Sequence, residues 1–325
     1  MLLLVLTDKK EFKLITLANF KKLEINFTGW YCPINNYTFM IEMDGSIRSG
    51  VCGENVHTTV LNPWWDLEEL TLTLNNICSL KRGSCFCGAD IKAPKAIDEE
   101  THKWFRNNKP KLEYKKENLQ IATTDDNVIA VTDSWQEDCE VHFHIGKLCN
   151  FDCSYCASTV HNNFSPHTSL ETFKLALNLI NPHVSSTKRK LYLTGGEPTL
   201  NPQLAKMIQI GKELNYRVRI NTNGTASLTR LTNLLQLGAY LNITFHEEFS
   251  NEKLMNKIGK LASIPNVKIL VKIMSKEDSE FSQLVRSYMP HQPGGLDIEY
   301  NPIYLNVKTP FGNRRLLADT ISKGI

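Results

Sequence analysis

The chain has 325 residues, 42% of them hydrophobic and 22% charged, and its 37 Lys+Arg against 34 Asp+Glu leave a net charge of +3 at pH 7. So even a balance gives no electrostatic case for a broad nucleic-acid surface. No apolar run approaches the roughly 20 residues of a membrane helix, and Met1–Leu6 lacks the basic lead and the length of a signal sequence, so the chain reads as cytoplasmic, with about two domains.

Met1–Leu6 reads as a buried strand. Thr38–Met43 and Ile47–Val51 flank Asp44-Gly45, a strong hairpin signal. Cys32 and Cys52 bracket that hairpin; Cys78, Cys85 and Cys87 follow, with Gly83 and Gly88 as turn residues. All nine cysteines lie between positions 32 and 156. An odd number without a leader argues against a secreted disulfide framework, and thiols this clustered in a reducing compartment suggest metal ligands. Residues 1–95 are therefore read as a small Cys-rich α+β domain. Trp64 and Trp65, beside Pro63, suit a core or interdomain contact. Residues 96–137 read as a connector, rich in charge around Lys109–Asn118. Cys139 is read as structural.

From residue 138 to 325 the pattern becomes regular. Short β-type runs at Val141–Ile145, Lys190–Leu193, Arg217–Asn221, Ala239–Phe245, Val267–Ile273 and Leu296–Tyr300 alternate with helical stretches such as Leu170–Ile180 and Pro202–Leu214. Lys188-Arg189-Lys190 is a short charge run, read as a solvated turn. Such alternation predicts an α/β domain of parallel βα units with right-handed crossovers, either an open sheet or a partial barrel. In both, ligands gather at the C-terminal ends of the strands.

Polar motifs fall at four of those ends. Cys149-Asn-Phe-Asp-Cys153-Ser-Tyr-Cys156 follows the first strand with C-x3-C-x2-C spacing. Three thiolates on one loop can hold three irons of a cubane and leave a fourth open to a small molecule. A zinc site completed by a histidine such as His144 is the alternative. Leu193-Thr-Gly-Gly-Glu-Pro-Thr199 follows the second strand, Asn221-Thr-Asn-Gly224 closes the third, and His246 ends the fourth. Glycines 195 and 196 let a backbone approach a ligand closely, and a carboxylate at Glu197 suits an α-amino group. Lys272 lies near the end of the fifth strand.

The cysteine spacing, with Tyr155 before the third cysteine, followed by Gly195-Gly196-Glu197, resembles the signature of the radical S-adenosylmethionine (SAM) superfamily over residues 140 to 305. The resemblance implies a partial (βα)6 barrel, a [4Fe–4S] cluster on Cys149, Cys153 and Cys156, and SAM on its open iron. It implies reductive cleavage of SAM to a 5′-deoxyadenosyl radical that abstracts hydrogen from a substrate. It places Tyr155 near the adenine, Gly195, Gly196 and Glu197 at the methionine end, and Asn221, Asn223, His246 and Lys272 as further cofactor contacts. It also implies a one-electron donor such as flavodoxin or ferredoxin.

The Cys-flanked hairpin resembles SPASM and twitch auxiliary-cluster domains, although here it precedes the core. That implies a second Fe–S cluster on four of Cys32, Cys52, Cys78, Cys85 and Cys87; structural zinc and free buried thiols are the alternatives. The segment is expected to cap the open end of the barrel and bound a pocket for a peptide, protein side chain or small metabolite. The contrasting function class is a zinc-stabilised adaptor without catalysis.

Overall fold

The computed structural model describes residues 2–23, 25, 27–32, 38–42, 46–49, 56–59, 95–108, 121–123, 126–132, 138–154, 156, 161–184, 188–275, 279–289, 296–300, 304–309 and 312–317. Contacts divide the chain into two compact units, one of residues 1–142 and 175–190, the other of residues 143–174 and 191–325. None of the described helices is long and apolar enough to cross a membrane.

In the first unit, strands β1 (Leu2–Thr7) and β2 (Phe12–Thr16) pair antiparallel, and helix α1 (Leu17–Lys22) begins at Thr16, whose hydroxyl accepts from the Asn19 N–H. The expected hairpin forms as β3 (Thr38–Ile41) and β4 (Ser46–Ser49), with Ile41 opposite Ile47, and β5 (Val56–Thr59) pairs beyond it. Then come β6 (Lys95–Ala96), helix α2 (Glu99–Asn108) and β7 (Val128–Thr132).

The strand order β2-β1-β7-β6 puts β1 and β7 in the middle of a four-stranded sheet. Residues read from sequence as connector thus supply a central strand. Its side chains alternate to two faces, each covered. Leu3, Val5, Ile15 and Val131 pack with Phe20 and Phe27 on one face, and Leu4, Leu6, Leu14 and Ala130 with Phe105 of α2 on the other. A strand buried on both sides has no use for polar residues, which is why β1 reads Leu-Leu-Leu-Val-Leu.

Strand β8 (Asp138–His144) leads into helix α3 (Leu170–Ile180) and then β9 (Lys188–Thr194), α4 (Leu204–Glu213), β10 (Tyr216–Thr222), α5 (Leu228–Gln236), β11 (Tyr240–Phe245), α6 (Glu252–Ala262), β12 (Ile269–Ile273), α7 (Glu280–Ser287) and β13 (Leu296–Tyr300). A hairpin of β14 (Tyr304–Thr309) and β15 (Gly312–Leu317) follows. From β8 to β13 the strands lie side by side in chain order, and β10 through β13 pair in parallel. Parallel neighbours joined through helices are the βα units expected from the alternation.

Two-residue alternation sorts the strands' faces. Leu191 and Leu193, Val218 and Ile220, Leu241 and Ile243, and Val271 and Ile273 are fully or almost fully buried, whereas Tyr192, Arg219, Asn221 and Lys272 between them are only half-buried. The helices present matching stripes: Leu204, Met207, Ile208 and Gly211 on α4, and Leu254, Met255, Ile258 and Leu261 on α6. Side-chain caps at Ser227, Asn251 and Ser279 accept from the first-turn N–H groups of α5, α6 and α7. The helices therefore begin directly after short loops at the strand ends, where the sequence motifs lie.

Candidate metal centre

The loop that leaves β8 is pinned along its backbone. The Ile145 N–H donates to the Thr194 carbonyl (2.9 Å), the Cys149 N–H to Asn162 (2.8 Å), and the Asn162 N–H back to Lys147 (2.9 Å). Further on, the Cys156 N–H donates to the Cys153 carbonyl (3.0 Å), and the Phe151 N–H reaches Cys149 Sγ (3.4 Å). Cys153 is buried, Cys149 and Cys156 are half-buried, and none of the three is in a disulfide.

Gly195 and Gly196 lie directly under this loop. The Gly196 N–H donates to the Gly146 carbonyl (2.8 Å) and the Glu197 N–H to Leu148 (2.7 Å). A Cβ on Gly195, whose φ is +125°, would stand 2.3 Å from the Gly146 oxygen; one on Gly196 would stand 2.4 Å from the oxygens of both Lys147 and Leu148. Only a residue without a side chain lets the two backbones touch. The two sequence motifs are thus halves of one structure, since the Gly-Gly turn is the floor on which the cysteine loop rests.

Glu197 does something the sequence did not suggest. Its carboxylate is 1% exposed. One oxygen accepts from the Thr199 N–H (3.0 Å) and hydroxyl and from the Thr222 hydroxyl (2.7 Å); the other accepts from the Asn223 N–H (2.7 Å). The side chain staples the end of β9 to the end of β10. Asn223 continues the network: its amide donates to Asn150 Oδ1 (2.9 Å), and its own Oδ1 accepts from the Thr225 N–H and hydroxyl. The Asn150 amide in turn donates to the Thr225 hydroxyl (2.9 Å). Asn150 sits beside Cys149, so the end of β10 also grips the cysteine loop.

The turn after β11 holds the loop from another side. His246 Nδ1 is 3.6 Å from Cys153 Sγ, and burial pulls the imidazole down to about 4, so it is neutral at pH 7. Glu248 accepts from the Ser154 N–H (2.9 Å) and hydroxyl. Phe151 stacks on Phe249 at 4.6 Å and meets His246 edge-on. Glu248 and Phe249 were not singled out from the sequence; a Phe-His-Glu-Glu-Phe run at a strand end was the available signal.

The remaining candidates are placed as follows. Asn221 accepts from the Asn242 amide (2.9 Å) on the neighbouring strand. Lys272 is half-buried on β12, in register with Thr244. Tyr155, Cys52, Cys78, Cys85 and Cys87 lie outside the described residues, as do Trp64 and Trp65. Cys32 is buried, with Lys95 Nζ donating to its sulfur at 2.9 Å, and Cys139 is fully buried.

Residues 143–280 match the family model "Radical SAM superfamily". That stretch is a radical SAM domain. Among curated relatives, an S-adenosylmethionine-dependent nucleotide dehydratase of Lacinutrix mariniflava is 32% identical over 88 residues, 26% of this chain and 18% of that protein. GTP 3′,8-cyclase 1 of Mycobacterium tuberculosis is 28% identical over 96 residues, 28% of this chain and 27% of that one. The chain thus spans well under a third of either relative. The solved structure of BtrN in complex with AdoMet and 2-DOIA superposes with a TM-score of 0.35 at 19% identity, over 50% of this chain and 69% of that one.

A radical SAM domain implies a [4Fe–4S] cluster and SAM, and proteins built on it are enzymes. The residues present fit such a cluster. Each thiol of a cubane's ligand set binds a different iron, and Cys149, Cys153 and Cys156 put three such thiols on one loop, none of them in a disulfide. Burial pushes the Cys149 and Cys156 thiols up, and Cys149 adds to the rise at Cys156. A cationic centre bound there would have to offset that burial to draw the thiolates.

Proposed function

We propose that this chain is a radical SAM enzyme whose [4Fe–4S] cluster sits on Cys149, Cys153 and Cys156. The observation that carries the reading is the joint between the cysteine loop and the Gly195-Gly196 turn, closed by backbone hydrogen bonds too tight for any side chain. Cluster and SAM together would supply reductive cleavage to a 5′-deoxyadenosyl radical, which takes a hydrogen atom from the substrate.

The protein's own part is positional. Asn150, Asn223 and Thr225 hold the front of the loop; Glu248 holds Ser154; the neutral His246 lies against Cys153. The Gly195-Gly196-Glu197 turn would hold the methionine end of SAM, with Asn221 and Lys272 as further contacts and Tyr155 for the adenine. Six βα units make a partial barrel with a lateral opening. Four of Cys32, Cys52, Cys78, Cys85 and Cys87 supply an auxiliary cluster, with structural zinc as the alternative. The substrate is a peptide, a protein side chain or a small metabolite, and the electron donor is a flavodoxin or ferredoxin.

Anaerobic reconstitution with iron and sulfide should yield a brown protein with a dithionite-induced cluster signal in electron paramagnetic resonance. With SAM it should release 5′-deoxyadenosine. Single Ala substitutions at Cys149, Cys153 and Cys156 should abolish signal and product. A fully reconstituted chain that makes no 5′-deoxyadenosine would overturn the proposal.

A further inference from the structure

A cavity of about 500 Å³ opens beside the cysteine loop, between that loop, the turn after β10 and the exposed side of α6. Phe151 and Phe249 form one wall, Thr225 another, and Lys253, Lys257 and Lys260 the third. The lysines stand at i, i+4 and i+7, on one side of a helix, and no acidic residue is among the described residues that line the cavity. Lys253 and Lys260 are exposed. Lys257 is half-buried and donates to the carbonyls of Thr225 (3.0 Å) and Ala226 (2.7 Å). Burial, and then the charge of Lys253, pull its ammonium below the usual lysine range.

None of these lysines is used by the loop network above, yet the cavity is continuous with it. Phe151 lies two residues from both Cys149 and Cys153. Thr225, whose carbonyl holds Lys257, has its hydroxyl on Asn150 (2.9 Å), the residue next to Cys149. Lys257 is therefore linked, through two hydrogen bonds, to the loop that carries the thiols. The cavity is an open, positively charged groove with an aromatic step.

We infer that this groove is the landing surface for an acidic one-electron carrier protein, with Lys253 and Lys260 as its rim and Phe151 as the contact nearest the metal ligands. The inference rests on the cluster reading of Cys149, Cys153 and Cys156. In the transfer, one electron leaves the reduced carrier and one arrives at the centre behind Phe151; no bond is made or broken and no proton moves. Opposite charge steers the encounter, and the aromatic step lets the two surfaces close without desolvating an ammonium.

The test is the affinity of the full, reconstituted chain for an acidic flavodoxin in its oxidised form, by titration calorimetry. The dissociation constant should rise about tenfold between about 50 and about 300 mM salt, because rim charges are screened over that range. Lys253→Glu with Lys260→Glu should weaken binding about tenfold at low salt, and Lys253→Arg with Lys260→Arg should restore it. Equal affinity in the charge-reversed and wild-type chains overturns the inference. So does a groove that takes inorganic tripolyphosphate, blocked by the same reversal, while flavodoxin does not bind. The dithionite-induced resonance signal is read on the same samples. Its presence with charge-insensitive binding overturns the landing surface alone; its absence overturns the cluster reading and this inference together.

Discussion

Gly196 is the residue with least room for change. A methyl group there would press on two carbonyl oxygens at 2.4 Å, both backbone, and neither can turn aside without moving the cysteine loop. Gly196→Ala should lower unfolding stability by about 3 kcal/mol, the upper range for forced overpacking, and should lower iron uptake in the same protein. Denaturant melts and iron assays on one preparation check both. Retained iron with unchanged stability would mean that the two motifs are not mechanically joined. The pair of glycines was legible in the sequence as a place where something comes close; what comes close is the cysteine loop itself. Glu197 was read as a ligand for an amine, because an acidic residue after a Gly-Gly turn looks available. Its four donors come from Thr199, Thr222 and Asn223, and only folding brings the last two beside it.

At the level of strands and helices, the second unit was readable for a simple physical reason. Its strands have one face against helices, so apolar residues recur at every second position, and the polar motifs interrupt that rhythm at the C-terminal ends. In the first unit β7 escaped notice. Val128–Thr132 is only five residues long and lay in a stretch read as connector, although four of the five are β-branched; its place between β1 and β6 comes from pairing. Nothing local marks such a pairing.

That unit also contains an ion pair with a predictable pH signature. Lys13 Nζ stands 2.6 Å from Asp126 Oδ1, and the Thr123 N–H donates to the other oxygen at 2.7 Å. The hydrogen bond from Lys13, then that from Thr123, hold the Asp126 carboxyl below its ordinary value of 3.8. A carboxyl depressed in the folded state adds stability above its unfolded value, and that stability is lost as pH falls through the folded one. Asp126→Asn should therefore melt lower than the wild type at neutral pH, with the difference closing as pH drops below the ordinary carboxylate range. Thermal melts of both proteins across that range measure it; a constant gap would show that the ionised form of Asp126 is not what stabilises the pair.

For the molecule as a whole, the open question is how many metal centres it holds. A chain with two cubanes should bind about eight irons and one with a single cubane about four. With an auxiliary cluster that uses Cys32, Cys32→Ala should fall from about eight to about four while keeping the SAM-dependent product chemistry of the core. Four irons and one zinc in the wild type would favour the structural alternative. Anaerobic metal analysis with sulfide determination decides between them. The reading of this part of the chain as metal-binding rests on cysteine spacing alone. Of the five residues, Cys32 alone lies among those described, and its neighbour Lys95, which donates to its sulfur, is far from it in sequence.

The order in which β1 and its neighbours leave the ribosome carries its own consequence. β1 is apolar on both faces, and β2 arrives almost at once, but β7, which completes its other edge, ends at Thr132. At translation speeds of about 5–20 residues per second, the interval is about 6–25 seconds. Throughout it a nascent chain displays Leu2–Thr7 with one unpaired edge, the kind of segment that recruits another copy of itself. Production of this protein should therefore be sensitive to chaperone supply and to growth temperature during synthesis, even where the finished fold is stable.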